Sequence, residues 1–325
     1  MARSLRFVTL DVFTTQRYSG NQLGVVFLPS PDQALTQDEK QLIAREFNYS
    51  ETIFVHPPTD DSSRTIDIFT TDEELPFAGH PTIGAVSWFL ELSPNEQDRA
   101  NARTLITKSG AMAMSRVAST PGAVAARIAH KAHIHAARFP LAEMLRLHPS
   151  LAPFFKGTAE TGFPIISIVK GMSQIHVQLP NLEALAATER PVGGEVVPCT
   201  ASSAGGYLDD GWEGNGLLLP YFYVPGVDDA TTGKSVIRTR MFLRNEEDPA
   251  TGSAASGLAA YLTLTSTEFA SKTQFDYHMV QGVEMGRRSD IGLAVTLGDD
   301  KGERRIAAVE LSGQSVQVMS GELQI

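Results

Sequence analysis

Slid along itself by 173 residues, the chain places Phe69, Glu73, Glu74, Pro76, Gly79 and Gly84 on Phe242, Glu246, Glu247, Pro249, Gly252 and Gly257 without a gap. Trp88 then lies on Tyr261 and Phe89 on Leu262. In both copies a strand leads into an acidic loop, a Gly turn and a helix without charge, Thr82 to Leu90 in the first and Ala254 to Leu264 in the second. Pro81 suits the first turn of the earlier helix. A helix that is apolar all round has to be covered on every side. The repeat therefore predicts two related halves, each a sheet wrapped round one buried helix, with residues 82–90 and 255–263 as the helices. The expected halves are 1–134, completed by a last strand over 314–325, and 135–313. The two helix N-termini are expected to meet in a cleft that holds the active site.

The rest of the chain fills in this plan. Phe7 to Leu28 reads as two strands around Ser19-Gly20-Asn21. Thr36 with Glu39 forms a capping box for a helix that runs to Phe47. Strands are predicted over Thr52–Val55, Thr65–Phe69, Leu105–Met114, Val124–His135, Leu217–Val224 and Val236–Phe242, and Pro140–Phe155 reads as a helix broken at Pro153. Gly193–Pro198 reads as loop. At 325 residues the chain fits about two domains of roughly 150. The net charge of −10 argues against nucleic acid or an anionic membrane as partner. Single Cys199, predicted inert, excludes an intrachain disulfide, a thiol-ligated zinc and a two-thiol catalytic pair. No signal-like or membrane-spanning apolar run is read, so the expected location is the cytoplasm.

Chemistry concentrates at the repeated turns. A helix N-terminus offers backbone N–H groups and about half a positive charge, which suits a carboxylate and negative charge developing beside it. Gly79, His80, Gly252 and Ser253 stand there; the bland alternative is two turn glycines and two capping side chains. Glu51 opens an apolar strand, and a carboxyl in dry surroundings has its pKa raised toward neutrality, as a general acid/base needs. Asp248 is the other candidate carboxylate; solvated strand-end and loop roles are the alternatives for both. His133 and His135 share a strand face with His130 nearby, but no neighbouring carboxylate completes a triad, so no metal is expected. Gly214 and Gly216 lack the third glycine of a dinucleotide loop, and there is neither a Walker lysine loop nor a Gly-x-Ser-x-Gly elbow. No cofactor is expected.

Three stretches, Ser50-Glu51-Thr52, Glu74-Leu75-Pro76-Phe77-Ala78-Gly79-His80-Pro81-Thr82 and Glu247-Asp248-Pro249-Ala250-Thr251-Gly252-Ser253-Ala254, resemble the phenazine-biosynthesis PhzF-like isomerase family, which is related to diaminopimelate epimerase. The resemblance runs from Leu10-Asp11-Val12-Phe13 to Met285-Gly286-Arg287. It implies an α/β (α+β) fold, the duplicated diaminopimelate epimerase-like fold with two barrel-like sheets each wrapped round a central apolar helix. It also implies Glu51 as proton-shuttling acid/base, with His80 and Asp248 as further catalytic residues and Asn21, Gly79, Gly252 and Ser253 as substrate-binding residues. The cysteines that epimerase relatives carry, one per half, are absent from both turns. The family's Gly-Asn-Pro is Gly20-Asn21-Gln22 here, and its Gly-Arg-Pro-Ser is Gly286-Arg287-Arg288-Ser289. The expected function is a cofactor-independent isomerase, a homodimer, moving a proton on a small carboxylic acid. A lyase or dehydratase on the same site and a non-catalytic small-molecule-binding protein are the alternatives.

Overall fold

The computed structural model describes residues 4–29, 35–300 and 303–325. In chain order the elements are β1 (Ser4–Val12), β2 (Asn21–Phe27), α1 (Gln37–Phe47), β3 (Glu51–Val55), β4 (Ser63–Phe69), β5 (Glu74–Leu75), α2 (Gly79–Ser87), α3 (Glu96–Asn101), β6 (Thr104–Thr107), β7 (Gly110–Arg116) and β8 (Val124–Ile128). There follow β9 (His133–Pro140), α4 (Leu141–Leu147), β10 (Gly162–Val169), β11 (Met172–Gln178), α5 (Leu182–Ala187), β12 (Val197–Pro198), β13 (Leu217–Asp229), β14 (Lys234–Leu243) and β15 (Glu246–Glu247). The chain closes with α6 (Gly252–Leu264), β16 (Gln274–Gln281), β17 (Ser289–Asp300), β18 (Glu303–Gly313) and β19 (Ser315–Gln324). Two compact units result, Met1–Ile128 with Glu310–Ile325, and Ala129–Val309.

Strand pairing repeats between the units. In the first the order is β19–β1–β2–β3–β4–β6–β7–β8, with successive pairs antiparallel, antiparallel, parallel, antiparallel, parallel, antiparallel and antiparallel. In the second, β9–β10–β11–β13–β14–β16–β17 repeats the first six of those senses in the same order. Register repeats as well. Phe69 lies opposite Glu74 and Phe242 opposite Glu247; Arg64 lies opposite Leu105 and Ile237 opposite Met279.

Each sheet wraps a helix that its sequence leaves no way to solvate. All of α2 is buried against β1, β2, β3, β8 and β19, and the chain continues into a π-helical turn at Trp88–Leu92. The buried residues of α6 are Gly252, 254–260 and Thr263, and it packs on β10, β11, β16 and β17. Glycines of the repeat admit the strands. A Cβ on Gly84 would lie 2.3 Å from Leu23 Cδ2, and one on Gly257 would lie 3.1 Å from Gln174 Oε1. Leu23 pairs with Glu51 and Gln174 with Leu219, so the duplicated register sets Leu219 where the first unit has Glu51.

Some boundaries differ from the sequence reading. The Thr36 box forms as expected: its hydroxyl accepts the Glu39 N–H at 3.2 Å, and Glu39 accepts the Thr36 N–H at 2.8 Å. The helix after Pro140 breaks at His148, not at Pro153, because Pro149 already holds its predecessor out of the helical region; Pro149–Phe155 is a 3-10 turn. Residues 105–114 form two strands, not one, joined by a turn at Lys108-Ser109; Gly110, which pairs with Thr107 across it, has a φ of 117° that a side chain would oppose. Residues 124–135 are likewise divided, since the chain passes there from the first unit to the second. Among the described residues no helix is long and apolar enough to cross a membrane.

Candidate active site

Three elements of the first unit converge on Glu51. Asn48 takes a left-handed conformation (φ 52°) at the C-cap of α1 and turns the chain toward β3, whose first residue is Glu51. Lys40, buried on α1, is 2.5 Å from Asp67 on β4 and pins that helix to the sheet. The Glu51 side chain keeps 17% of its surface exposed. Burial raises its pKa from 4.5 to about 7, against a smaller lowering by the Ser50 hydroxyl. His80, the second residue of α2, is buried with Nδ1 3.5 Å from a Glu51 carboxylate oxygen. Its Nε2 lies 3.2 Å from the Gln22 carbonyl. A carbonyl only accepts, so Nε2 carries the proton. In the neutral ring Nδ1 then presents a lone pair, met by the Asn21 amide nitrogen at 3.2 Å. That nitrogen has one lone pair, and Asn21 holds it, so His80 sits beside Glu51 with its ring fixed from both nitrogens. Gly79 is buried in the same helix turn, and no side chain caps that N-terminus.

In the second unit, Asp248 lies in the turn between β15 and α6, and Gly252 and Ser253 open α6. Asp248 is half-buried; its carboxylate accepts the Thr251 hydroxyl at 2.6 Å and the Ala250 N–H at 3.2 Å. Gly252 is buried and Ser253 half-buried, the first two residues of α6, again without a side-chain cap. Glu247, just before, receives Arg240 through two nitrogens at 2.8 Å each, while that guanidinium also donates to the carbonyls of Leu185, Ala186 and Thr188. Sequence reasoning missed Arg240, Gln281 and the Gln22 carbonyl. They act through pairings distant in sequence or through backbone, and no local motif announces them.

The two departures from the family pattern have different settings. Asn21 and Gln22 alternate along β2, so Asn21 is buried while the Gln22 side chain is exposed on the other face. What His80 uses is the residue-22 carbonyl, which proline would also supply. Arg288 is taken up by Asp229, at 2.8 and 2.9 Å, and by Asp290. Cys199 is buried in the apolar core of its unit, and burial raises its thiol pKa.

The histidine cluster does gain a carboxylate. The fold brings Asp209 to His133 and His135, with ligand atoms within 4.8 Å of one another. His133 Nε2 lies 2.7 Å from an Asp209 oxygen and its ring stacks on Trp212. His135 Nδ1 accepts the Asp209 N–H at 2.9 Å, and its Nε2 lies 2.8 Å from the Ser167 hydroxyl. The one lone pair His135 could give a cation is thus occupied by a backbone donor. Burial lowers the pKa of His135 to about 4.

Comparison with known proteins finds relatives along nearly the whole chain. Residues 10–321 match the family described as phenazine biosynthesis-like protein. The chain is 31% identical over 330 residues to an uncharacterized isomerase of Mesorhizobium japonicum, covering 98% of each chain. It is 28% identical over 321 residues to the trans-2,3-dihydro-3-hydroxyanthranilate isomerase of Pseudomonas chlororaphis, again covering 98% of each. Among solved structures, a PhzF-family phenazine biosynthesis protein of Bacillus anthracis matches with a TM-score of 0.72 at 19% identity, covering 99% of this chain and 100% of that one. The chain belongs to the phenazine biosynthesis-like family and is, like these relatives, an isomerase.

Proposed function

We propose that the chain moves a proton between carbons of a small carboxylic acid without a cofactor, with Glu51 as the single acid/base. The observation that carries this reading is a carboxyl group, raised by burial to a pKa of about 7, beside a buried histidine ring that Asn21 and the Gln22 carbonyl hold in place. At that pKa both forms are populated at neutral pH, so one group can remove a proton and return it elsewhere. The single base is supported by the duplicated register: Leu219, which ionises nothing, stands where the second unit would need its own Glu51.

In this reading the carboxylate of Glu51 takes a proton from carbon, an enolate-like charge develops, and the same carboxyl delivers the proton to a different carbon. His80 keeps Glu51 oriented, and Asn21 fixes the His80 ring. N–H groups of the first turn of α2, at Gly79 and His80, hold the substrate carboxylate, and each helix end contributes on the order of 1 kcal/mol. Asp248 orients the substrate, and Gly252 with Ser253 binds it. The substrate class is an unsaturated carboxylic acid with a mobile carbon-bound proton, of the kind named for the Pseudomonas chlororaphis relative.

The test is deuterium incorporation from heavy water into trans-2,3-dihydro-3-hydroxyanthranilate and a panel of small unsaturated and amino acids. Wild type should exchange at least one of them. E51Q keeps size and hydrogen bonding but cannot accept the proton, so its turnover should fall by roughly 10²–10⁴-fold while binding persists. D248N should be milder. A dead D248N beside an unimpaired E51Q would reverse the roles. Expulsion of a β-substituent would indicate a lyase, and binding with neither exchange nor an isomerised product would indicate a non-catalytic protein.

A further inference from the structure

We propose that Gln281 is the positioning residue of the turn that carries Asp248 and leads into Gly252 and Ser253 at the start of α6. Its side-chain amide splints both ends of that turn. Gln281 is completely buried at the end of β16, opposite Thr239 on β14 and Ser289 on β17, so two strand ladders fix its backbone. Its Nε2 donates to the Asp248 carbonyl at 2.8 Å and to the Thr251 hydroxyl oxygen at 2.9 Å. Its Oε1 accepts the Thr251 N–H at 3.3 Å and the hydroxyl of Tyr221 at 3.0 Å. Tyr221 is itself completely buried, and its oxygen lies 3.1 Å from the Thr239 hydroxyl.

The direction of these bonds gives the splint its effect. Because Thr251 Oγ1 accepts from Gln281, its own proton has to point elsewhere, and it points at Asp248 Oδ2 at 2.6 Å. Gln281 thus aims the Thr251 hydroxyl, and that hydroxyl aims the Asp248 carboxylate. No carboxylate could replace it, since two donors are needed on one nitrogen. The neighbouring residue shows how tightly the turn is seated. Gly282 has φ 74°, and a Cβ there would lie 2.8 Å from the Pro249 carbonyl and 2.5 Å from that of Arg287.

Only the catalytic consequence of this splint rests on the proposed function; the positioning stands on geometry. It is tested by hydrogen exchange with mass spectrometry on the full chain, comparing wild type, Q281M and T251V. Q281M keeps length and volume but has no amide, and T251V removes the shared oxygen at a half-buried position if the buried variant does not fold. Either change should raise exchange in peptides spanning 248–256 by about tenfold or more, the scale for losing two or three hydrogen bonds, while peptides from β1 and β2 keep wild-type rates. The double variant should add little to either single change. Unchanged protection over 248–256, or an equal rise in every peptide, overturns the proposal. In the deuterium assay with trans-2,3-dihydro-3-hydroxyanthranilate, Q281M should lower turnover no further than D248N does, and the Q281M/D248N double variant should fall no lower than D248N alone. A wild type that neither exchanges nor isomerises any of the tested acids defeats the isomerase mechanism and leaves the hydrogen-exchange result on the turn standing.

Discussion

A carboxyl group that both takes and gives a proton at neutral pH needs its two forms near equal in free energy, and burial supplies this for Glu51. Two expectations follow at the residue scale. Proton removal needs the carboxylate, so kcat/KM should rise with pH through about 7 and level above it. A pH–rate profile with its limb near 4.5 would sink the assignment. The same displacement acts on stability. In the unfolded chain Glu51 ionises near 4.5, in the folded one near 7, so between those values the folded state holds the extra proton. Stability therefore falls as pH rises across that window, by about 3 kcal/mol in all, and stays lowered above it. E51Q does not titrate. Its stability relative to wild type should improve by up to that amount between pH 4 and pH 8, read from urea unfolding at both pH values. An equal difference at the two pH values would contradict it. The position of Glu51 at the head of an apolar strand was legible from sequence. The Gln22 carbonyl that fixes the His80 tautomer was not, because every residue has a carbonyl and only the β2–α2 packing selects this one.

At the element scale the two buried helices are the same device with different linings. Gly84 faces Leu23, completely buried in an apolar layer, and also Val12 Cγ2 at 3.0 Å. Gly257 faces the end of the Gln174 amide, whose oxygen is buried without a hydrogen-bond partner among the described residues, and His176. G84A forces a methyl into the apolar layer, and overpacking of this kind costs about 1–3 kcal/mol, only partly offset by the roughly 1 kcal/mol that alanine gains over glycine in a helix. G257A meets a side-chain end that can swing, so it should stay within about 1 kcal/mol of wild type. Urea unfolding of both variants checks this, and a G257A as costly as G84A would show the two linings to be equally rigid. The helices and their glycines could be read from sequence, since a run without charge and an offset of 173 are local patterns. The strands β5 and β15 inside the acidic loops could not. Each is two residues long and exists only because β4 or β14 lies beside it.

At the scale of the whole molecule, the first unit is assembled from both ends of the chain, and the second from a continuous stretch. The sequence suggests this through its last strand-like segment, but the partner of that segment, β1, lies some three hundred residues away and only the fold reveals the register. The return strand is well tied. β19 pairs along the whole of β1, from Ser4–Gln324 to Val12–Ser315. Ser315 Oγ meets Ser87 Oγ of α2 at 2.9 Å, and Leu323 and Ile325 pack on the cluster of Leu5, Val26, Leu35, Ala44, Phe54 and Phe69. Removing residues 315–325 leaves β1 as an unpaired edge and opens that cluster to water, so the first unit should lose its packed state while the second keeps it. The chain has two tryptophans, which report on the units separately. Trp88 is buried in the turn after α2, and Trp212 stacks on His133 in the second unit. In a W212F background the truncation should shift the emission of Trp88 toward that of exposed indole; in a W88F background the emission of Trp212 should stay native. Loss of both signals would mean that the second unit needs the first in order to fold. Retention of both would mean that β19 is dispensable, and that the helix α2 stays covered without the strand that the chain's end returns to it.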